Sequence, residues 1–339
     1  MRNSENRDEE SLSNQFSECE NPVVRSRLVS VLVAVILLLN GSALADVDSS
    51  TATVNPIPAY QFPSLIDENV SEILHSKLNL AATDMPKPYL TRCHVQQNLS
   101  STNANCYFGN LTSKTTIVLF GDSHALSWFP AVEKLAIAKK WRFLSLTMSS
   151  CWPATIPPWN SVKMKLMTNC TIWRQSALKQ IAQVKPYLTL VTGTRGFSTV
   201  DSTGMVLAGE ARASAWKEGM TSTLNAIKSA SRNTVLISDT PISRFAFPSC
   251  LILSPDSIKN CSTPAAKAID TNWLTVERNL AASLHVLWVN PTQWICNSDP
   301  CSPVADDTLI YRDGAHLTAS FAVSLEKPLW AELSSHFNS

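Results

Sequence analysis

Charged residues are scarce in this sequence, and no long block of one sign occurs beyond its N-terminal segment. Only 16% of the 339 residues are Asp, Glu, Lys or Arg, and the formal net charge is +1. Binding to nucleic acid or to a lipid surface by charge needs clustered basic residues, so neither is predicted for the main part of the chain. The apolar content of 45% is ordinary for a globular protein. We therefore expect one large domain with an N-terminal appendage.

The sequence also has no apolar run of the length that spans a bilayer. The longest, Leu28–Leu39, covers about 12 residues, which suits the hydrophobic region of a signal peptide. Arg25 and Arg27 precede it, and Ala43-Leu44-Ala45 follows as a small-x-small cleavage pattern. The long polar segment before the run argues against cleavage, so an uncleaved anchor is the alternative. We predict residues 1–45 to be a signal peptide or membrane anchor, with the rest exported to a periplasmic or extracellular location, membrane-anchored or secreted.

Zinc-binding cysteine patterns are missing as well, since no CxxC pair and no Cys/His ligand spacing occurs. No metal or other cofactor is predicted. Eight of the nine cysteines follow the apolar run, and an even number on the exported side indicates disulfides, with scattered buried thiols as the alternative. Among the many possible connectivities we predict a sequential one. The predicted pairs are Cys93 with Cys106, Cys151 with Cys170, Cys250 with Cys261, and Cys296 with Cys301.

The exported part divides into three segments by composition. Residues 46–63 are rich in Ser, Thr and Pro and are predicted to be a linker. Residues 64–114 are predicted to form a helical extension of the main domain, because apolar residues recur at near-helical spacing over Ser64–Ala82. Residues 115–339 form the predicted main domain.

From Thr115 onward, strand-like and helix-like patterns alternate. The predicted strands are Ile117–Phe120, Arg142–Thr147, Tyr187–Thr192, Thr234–Ser238 and His285–Val289. The predicted helices are Ser127–Lys139, Ile172–Val184, Ala211–Ala230, Pro264–Leu284 and Ser320–Leu333. This alternation predicts an α/β fold, a three-layer α/β/α sandwich around a five-stranded, mostly parallel sheet stapled by disulfides.

The first predicted strand runs directly into Gly121-Asp122-Ser123-His124. Open α/β sheets place their chemistry at the carboxyl ends of strands, so Ser123 is a candidate nucleophile. A serine hydroxyl at its free pKa reacts poorly and needs a general base together with a group that orients the base.

A second block near the C-terminus supplies both groups. Asp313 and His316 are three residues apart, and on a helical turn that spacing would bring them to the same side. We predict that His316 takes the proton of Ser123, while Asp313 holds the imidazole in the right tautomer and stabilises its charged form.

These two blocks resemble the SGNH (GDSL-like) hydrolase superfamily, whose fold is flavodoxin-like. More narrowly, the sequence is similar to the SGNH domain fused to acyltransferase-3 membrane proteins, which O-acylate surface polysaccharides. The resemblance covers roughly Cys93 to the end of the chain. The narrower one rests on Gly121–His124, Ser149–Pro153, Asp239–Pro241, Pro248–Cys250, and Cys296–Cys301 followed by Tyr311–Thr318.

The resemblance implies an oxyanion hole made by the backbone N–H of the nucleophile, a glycine after the second strand and an asparagine after the third. The sequence departs from that pattern. Ser149 and Ser150 follow the second strand, and the segment after the third, Thr192–Gly196, has no asparagine. Ser150, Gly193 and Arg195 are the predicted oxyanion or substrate residues, Arg195 because the acyltransferase-linked branch carries an arginine there.

Four other residues near these motifs receive simpler predictions. His124 is expected to cap or pack at the helix start, because His316 already fills the role of base. Asp122 is expected to bind backbone N–H groups and fix the turn. Trp152 and Trp159, in the loop after the second strand, are the predicted aromatic contacts to a substrate.

The resemblance implies a serine esterase or O-acyltransferase that forms an acyl-Ser123 intermediate on acyl, in particular acetyl, esters of cell-surface glycans. Hydrolysis and transfer use the same residues and stay open at this point. Transfer would need a separate membrane acyltransferase to supply the acyl group. The alternative is a catalytically silent glycan-binding or assembly protein that keeps the fold.

Overall fold

A mostly parallel sheet forms the centre of the structure, a computed structural model that describes residue 57 and residues 60–102 and 105–337. The predicted signal or anchor and most of the predicted linker lie outside these residues. The strands in chain order are β1 (His94–Val95), β2 (Tyr107–Gly109), β3 (Thr116–Gly121), β4 (Arg142–Met148), β5 (Trp159–Asn160), β6 (Lys165–Leu166), β7 (Leu188–Thr192), β8 (Asn233–Ile237), β9 (Leu287–Val289), β10 (Val304–Ala305) and β11 (Thr308–Leu309).

Helices connect most of the strands. They are α1 (Glu72–Leu78), α2 (Pro88–Thr91), α3 (Ser123–Ser127), α4 (Phe129–Ala138), α5 (Thr168–Val184), α6 (Gly209–Lys228), α7 (Ser249–Leu253), α8 (Ala265–Ala268), α9 (Thr271–Ser283), α10 (Thr292–Ile295), α11 (Ala319–Ala322) and α12 (Glu326–Phe337), with short 3₁₀ turns at Ala81–Thr83, Lys259–Cys261 and Val323–Leu325. Among the described residues no helix is both long and apolar enough to cross a bilayer.

The sheet has the strand order β1-β4-β3-β7-β8-β9, in which the five predicted strands are consecutive. These five pair in parallel, in the flavodoxin-like order β4-β3-β7-β8-β9. The predicted α/β fold is confirmed. Two short strands that the sequence analysis missed extend the sheet at β4, where β1 pairs in parallel and β2 antiparallel. They are too short to produce a recognisable alternating pattern.

Strand β3 shows why the fold has three layers. All six of its residues are buried, and successive side chains point to opposite faces of the sheet. Ile117 and Leu119 join the apolar cluster that includes α4 and α12, whereas Val118 and Phe120 join the cluster with α5, α6 and α9. A strand buried on both faces reads as a continuous apolar run, which is what the sequence has here.

Four predicted helices are shortened or interrupted in the structure. The helix predicted over Pro264–Leu284 is divided into α8 and α9, and the one predicted over Ser320–Leu333 is divided into α11, a 3₁₀ turn and α12. The helix predicted over Ser64–Ala82 is reduced to α1, because the Ser71 hydroxyl accepts from Leu74 N–H and caps the helix there. The helix predicted to begin at Ser127 begins at Ser123 instead and is interrupted before α4, where Pro130 has no N–H to continue the bonding pattern.

The four predicted disulfides are confirmed. Cys93–Cys106, Cys151–Cys170, Cys250–Cys261 and Cys296–Cys301 are bonded, and their sequence separations are 13, 19, 11 and 5 residues. Each bond therefore closes a local loop next to elements that the sheet already holds.

Candidate active site

Ser123 lies at the carboxyl end of the central strand β3, as the first residue of α3. The turn before it is fixed by Asp122, which is fully buried and whose carboxylate accepts from the backbone N–H groups of His124 and Ala125. The prediction that Asp122 binds backbone is thus confirmed. Gly121 is required for a different reason, since a Cβ atom there would lie 1.8 Å from the carbonyl oxygen of Thr192 on β7.

The C-terminal block forms a loop and not the helical turn that the spacing suggested. An antiparallel bridge between Tyr311 and Leu317 closes this loop. Within it, Asp313 Oδ1 accepts from the N–H of Ala315 at 2.8 Å and from that of His316 at 2.7 Å. These two bonds place the Asp313 carboxylate next to the His316 ring. The loop therefore brings the two side chains together, as a helical turn would have done.

The loop and the β3 turn bring the three predicted residues together. His316 Nε2 lies 2.9 Å from Ser123 Oγ, and His316 Nδ1 lies 2.8 Å from Asp313 Oδ2. The His316 side chain is 23% exposed and that of Asp313 42%, so a ligand can reach the array from solvent. Nucleophilic catalysis by serine requires a hydroxyl within hydrogen-bond reach of a base, and the base within reach of a group that orients it, and the three side chains meet these distances.

Electrostatics favours an ionised Asp313. Burial alone would raise the pKa of this carboxyl, but the hydrogen bonds and charge of His316 and the N–H of Ala315 outweigh it and hold the pKa below its usual range. An ionised carboxylate on Nδ1 leaves Nε2 of a neutral His316 as an acceptor for the Ser123 hydroxyl.

A second His–Asp pair lies behind this array, and the sequence analysis missed it. His124 Nδ1 is 2.6 Å from Asp239 Oδ1, and both residues are buried. Burial lowers the pKa of His124, but Asp239 and then Asp122 and Asp313 overcome this and raise it to about 9. The rings of His124 and His316 meet edge to face, with centroids 5.0 Å apart. The prediction that His124 packs at the helix start is confirmed by its burial. The prediction did not include Asp239 as its hydrogen-bond partner.

Most of the described chain matches a known protein family. Residues 92–331 match the family model described as "SGNH domain (fused to AT3 domains)". The chain belongs to the SGNH family. It is accordingly an SGNH-type enzyme, an esterase or an acyltransferase, as the resemblance in the motifs implied. No match was found among curated proteins.

Several solved structures are similar to this chain at low sequence identity. The periplasmic domain of a lipopolysaccharide acetyltransferase from Salmonella ser. Paratyphi A is 15% identical, with a TM-score of 0.55 over 80% of this chain and 98% of that one. An acetylxylan esterase mutant from Geobacillus stearothermophilus is 12% identical, with a TM-score of 0.38 over 66% and 96%. A GDSL-like lipase from Bacteroides thetaiotaomicron is 12% identical, with a TM-score of 0.37 over 75% and 99%.

The segment after β7, where the SGNH pattern would place its asparagine, is tied to buried carboxylates. Thr194 N–H donates to Asp122 Oδ2 at 2.8 Å, and Arg195 N–H donates to Asp239 Oδ2 at 2.9 Å. The Arg195 guanidinium donates to the carbonyl oxygens of Thr240 and Ala268. In this arrangement Arg195 joins three loops at the carboxyl edge of the sheet.

The other two predicted oxyanion residues lie on either side of the nucleophile strand. Gly193 follows β7 and packs tightly, since a Cβ atom there would be 2.6 Å from Pro153 Cδ and 3.1 Å from Asp122 Oδ2. Ser150 follows β4 in a turn with a left-handed backbone, φ 53°. β4 and β7 are the two neighbours of β3, so both residues are at the correct edge of the sheet.

The two tryptophans predicted to contact substrate differ from each other. Trp152 is 4% exposed and packs on Phe197 with ring centroids 5.8 Å apart, so it belongs to the core and its prediction is wrong. Trp159 is half-buried on β5. An apolar side chain after a strand does not distinguish a core position from a binding surface, which is why sequence alone did not separate them.

Proposed function

We propose that this SGNH enzyme acts on acyl esters, in particular acetyl esters, of cell-surface glycans through an acyl-Ser123 intermediate. The observation that carries the proposal is the hydrogen-bonded array Ser123–His316–Asp313 at the carboxyl end of the central strand of an SGNH chain. The structural neighbours include the periplasmic domain of a lipopolysaccharide acetyltransferase, which supports acetyl esters of a glycan as the substrate class.

In the first step Ser123 Oγ attacks the acyl carbonyl carbon while His316 Nε2 accepts the hydroxyl proton. The tetrahedral intermediate collapses by breaking the bond to the alkoxy oxygen of the donor, and His316 returns its proton to that oxygen. The acyl group is then bound to Ser123 as an ester. Throughout, Asp313 stabilises the imidazolium form of His316.

In the second step His316 Nε2 accepts a proton from an incoming hydroxyl, whose oxygen attacks the acyl-Ser123 carbonyl. If that hydroxyl belongs to water, the product is a free acid and the enzyme is an esterase. If it belongs to a sugar, the product is a new glycan ester and the enzyme is an O-acyltransferase. The residues are the same in both cases, so the outcome depends on which hydroxyl the site admits.

The oxyanion of both steps needs donors beside Ser123. The backbone N–H of Ser123 is one, and we assign the second to Gly193 or Ser150, at the ends of the two strands that flank β3. The Arg195 guanidinium already donates to Thr240 O and Ala268 O, which supports a role for Arg195 in holding the loops around the site.

The proposal includes a location for the enzyme and a source of acyl groups. The four disulfides and the predicted signal or anchor support action outside the cytoplasm. The family description, a domain fused to acyltransferase-3 modules, supports a separate membrane acyltransferase as the partner that would deliver acyl groups for transfer.

The proposal is tested with a serine-reactive fluorophosphonate and an aryl acetate. We expect both labelling and hydrolysis by the wild-type protein, and loss of both in Ser123→Ala but not in the exposed-site control Ser335→Ala. Absence of labelling in a folded wild-type protein would overturn the enzymatic proposal and favour a silent glycan-binding protein. Mass spectrometry of surface glycans from a deletion strain then separates transfer from hydrolysis, since loss of acetyl groups indicates transfer and their increase indicates hydrolysis.

A further inference from the structure

A polar cleft of about 590 Å³ opens beside the candidate active site. Its walls are the segment after β1, the β5–β6 hairpin and the start of α5, and Ser149 at the end of β4 contributes to it. β1 and β4 are parallel and end together, with Val95 opposite Met148. Because β1 lies two positions from β3 in the sheet, the cleft is on the same carboxyl edge as Ser123, and the two strands themselves are about 10 Å apart.

The lining of the cleft has the chemistry of a site for an anionic carbohydrate. Five of its side chains are amides, a group that carries both a donor and an acceptor for sugar hydroxyls. Asn160 Oδ1 accepts from Lys163 N–H and Asn169 Nδ2 donates to Gln97 O, so these two amides are held in place and keep their other polar group for a ligand. Lys163 and Lys165 project from the hairpin, and no Asp or Glu is among the lining residues that the structure describes. The cleft is therefore positive, which suits the carboxylate or phosphate of an acidic sugar.

One wall of the cleft, at the start of α5, is held in place by covalent and polar contacts. The Cys151–Cys170 disulfide ties the segment after β4 to α5, and the buried Arg174 donates to Ile156 O at 3.1 Å within the same segment. A rigid wall lowers the entropy that a ligand must lose on binding.

The cleft is also connected to the catalytic loop by a continuous set of contacts. Ser149 Oγ is 2.9 Å from Nε2 of the buried His94, whose ring meets that of Tyr89 at a centroid distance of 4.8 Å. Tyr89 Oη accepts from Arg312 at 3.0 Å, and Arg312 N–H donates to the carbonyl oxygen of His316. Burial, His316 and Arg312 lower the pKa of His94 to about 3, so this ring is a neutral link.

We propose that the cleft binds an acidic sugar of the glycan chain whose neighbouring residue presents its ester or hydroxyl to Ser123. This inference rests on the proposed function for the placement of the neighbouring sugar at Ser123. The binding of the acidic sugar does not depend on turnover. It names the substrate class as an anionic polysaccharide and assigns Lys163 and Lys165 as the residues that select for its charge.

The test measures binding by isothermal titration calorimetry with the full-length protein. Tetragalacturonate is the anionic probe and maltotetraose the neutral one, and neither carries an ester that the enzyme could turn over. We expect tetragalacturonate to bind at least about tenfold more tightly than maltotetraose, and to bind more weakly when NaCl is raised from about 50 to 200 mM. The variant Lys163→Gln/Lys165→Gln should lose about tenfold in affinity for tetragalacturonate, as expected for two ion pairs lost together.

The matched control is Lys179→Gln/Lys217→Gln, which removes two exposed lysines on α5 and α6 outside the cleft and should bind like wild type. Equal affinity for the two probes, no binding of tetragalacturonate by the wild type, or an unchanged affinity in the Lys163/Lys165 variant would each overturn the proposal. Failure of the aryl acetate assay would instead count against the proposed function and leave this binding result standing.

Discussion

His124 Nδ1 lies 2.6 Å from Asp239 Oδ1, behind the candidate catalytic array, and this pair joins the nucleophile turn to the end of β8. The other carboxylate oxygen of Asp239 accepts from Arg195 N–H, so a single buried side chain connects three segments at the carboxyl edge of the sheet. The ring of His124 packs against that of His316, so we expect a shift of this pair to move the base that we propose. We therefore regard His124 and Asp239 as positioning residues.

The variant Asp239→Asn tests this role. Removing one partner leaves a buried imidazolium without its counter-charge, so we expect the free energy of unfolding to fall by about 3–5 kcal/mol. Urea unfolding followed by circular dichroism measures the change. The control is Asp256→Asn, an exposed aspartate, for which a change within about 0.5 kcal/mol is expected. Equal stability of Asp239→Asn and wild type would show that the pair is not ionised in the folded protein.

The pH dependence of stability gives a second prediction. The pKa of His124 is raised to about 9, so its contribution is present below the ordinary histidine pKa of about 6.5 and is lost as the pH rises to 9. Burial raises the pKa of Glu277 to about 8, so folding favours its protonated form and stability again falls as the pH rises from about 4.5 to 8. We expect the free energy of unfolding to decrease between pH 5 and 9, by up to about 1.4 kcal/mol per pH unit for each group.

Urea unfolding at pH 5, 7 and 9 measures this decrease. Glu277→Gln keeps an oxygen that can accept from Trp273 Nε1 and removes the titration, so it should flatten the part of the curve below pH 8. Stability that rises between pH 5 and 9, or a Glu277→Gln curve parallel to that of wild type, would contradict this assignment.

The sequence was informative where a pattern is local and failed where contacts join distant segments. β3 is recognisable because a strand buried on both faces is a continuous apolar run, and Ser123 follows from the turn at its end. The three-residue spacing of Asp313 and His316, together with the family resemblance, relates these two residues to Ser123. That spacing is compatible both with a helical turn, which the sequence predicts, and with the loop closed by Tyr311 and Leu317, which the structure has.

The His124–Asp239 pair was beyond reach for a physical reason. The two residues are 115 positions apart and meet only because β3, β7 and β8 are neighbours in the sheet. In the sequence, His124 stands next to Ser123 and Asp239 follows a predicted strand, but no spacing rule relates the two residues. The cleft beside β1 is not predicted from the sequence either, because β1 has only two residues and gives no strand pattern.

The variant Asp313→Asn tests the orientation of the base. An amide can no longer act as a charged acceptor for His316 Nδ1–H, so we expect kcat/KM for an aryl acetate to fall by about 10³–10⁴-fold. The thermal midpoint should change little, because the Asp313 side chain is 42% exposed. Steady-state kinetics and thermal unfolding measure the two quantities. A loss of less than about tenfold would mean that His316 is oriented by other contacts.

The close approach of β3 and β7 gives the last prediction. A Cβ atom on Gly121 would lie 1.8 Å from the carbonyl oxygen of Thr192, so Gly121→Ala forces apart two paired strands immediately before Ser123. We expect a loss of about 3 kcal/mol or more in the free energy of unfolding, measured by urea titration, together with loss of fluorophosphonate labelling. Gly196→Ala is the matched control, since its Cβ would meet only the Thr194 hydroxyl at 3.3 Å. If both variants were equally stable, the close approach at Gly121 would not be what fixes the nucleophile turn.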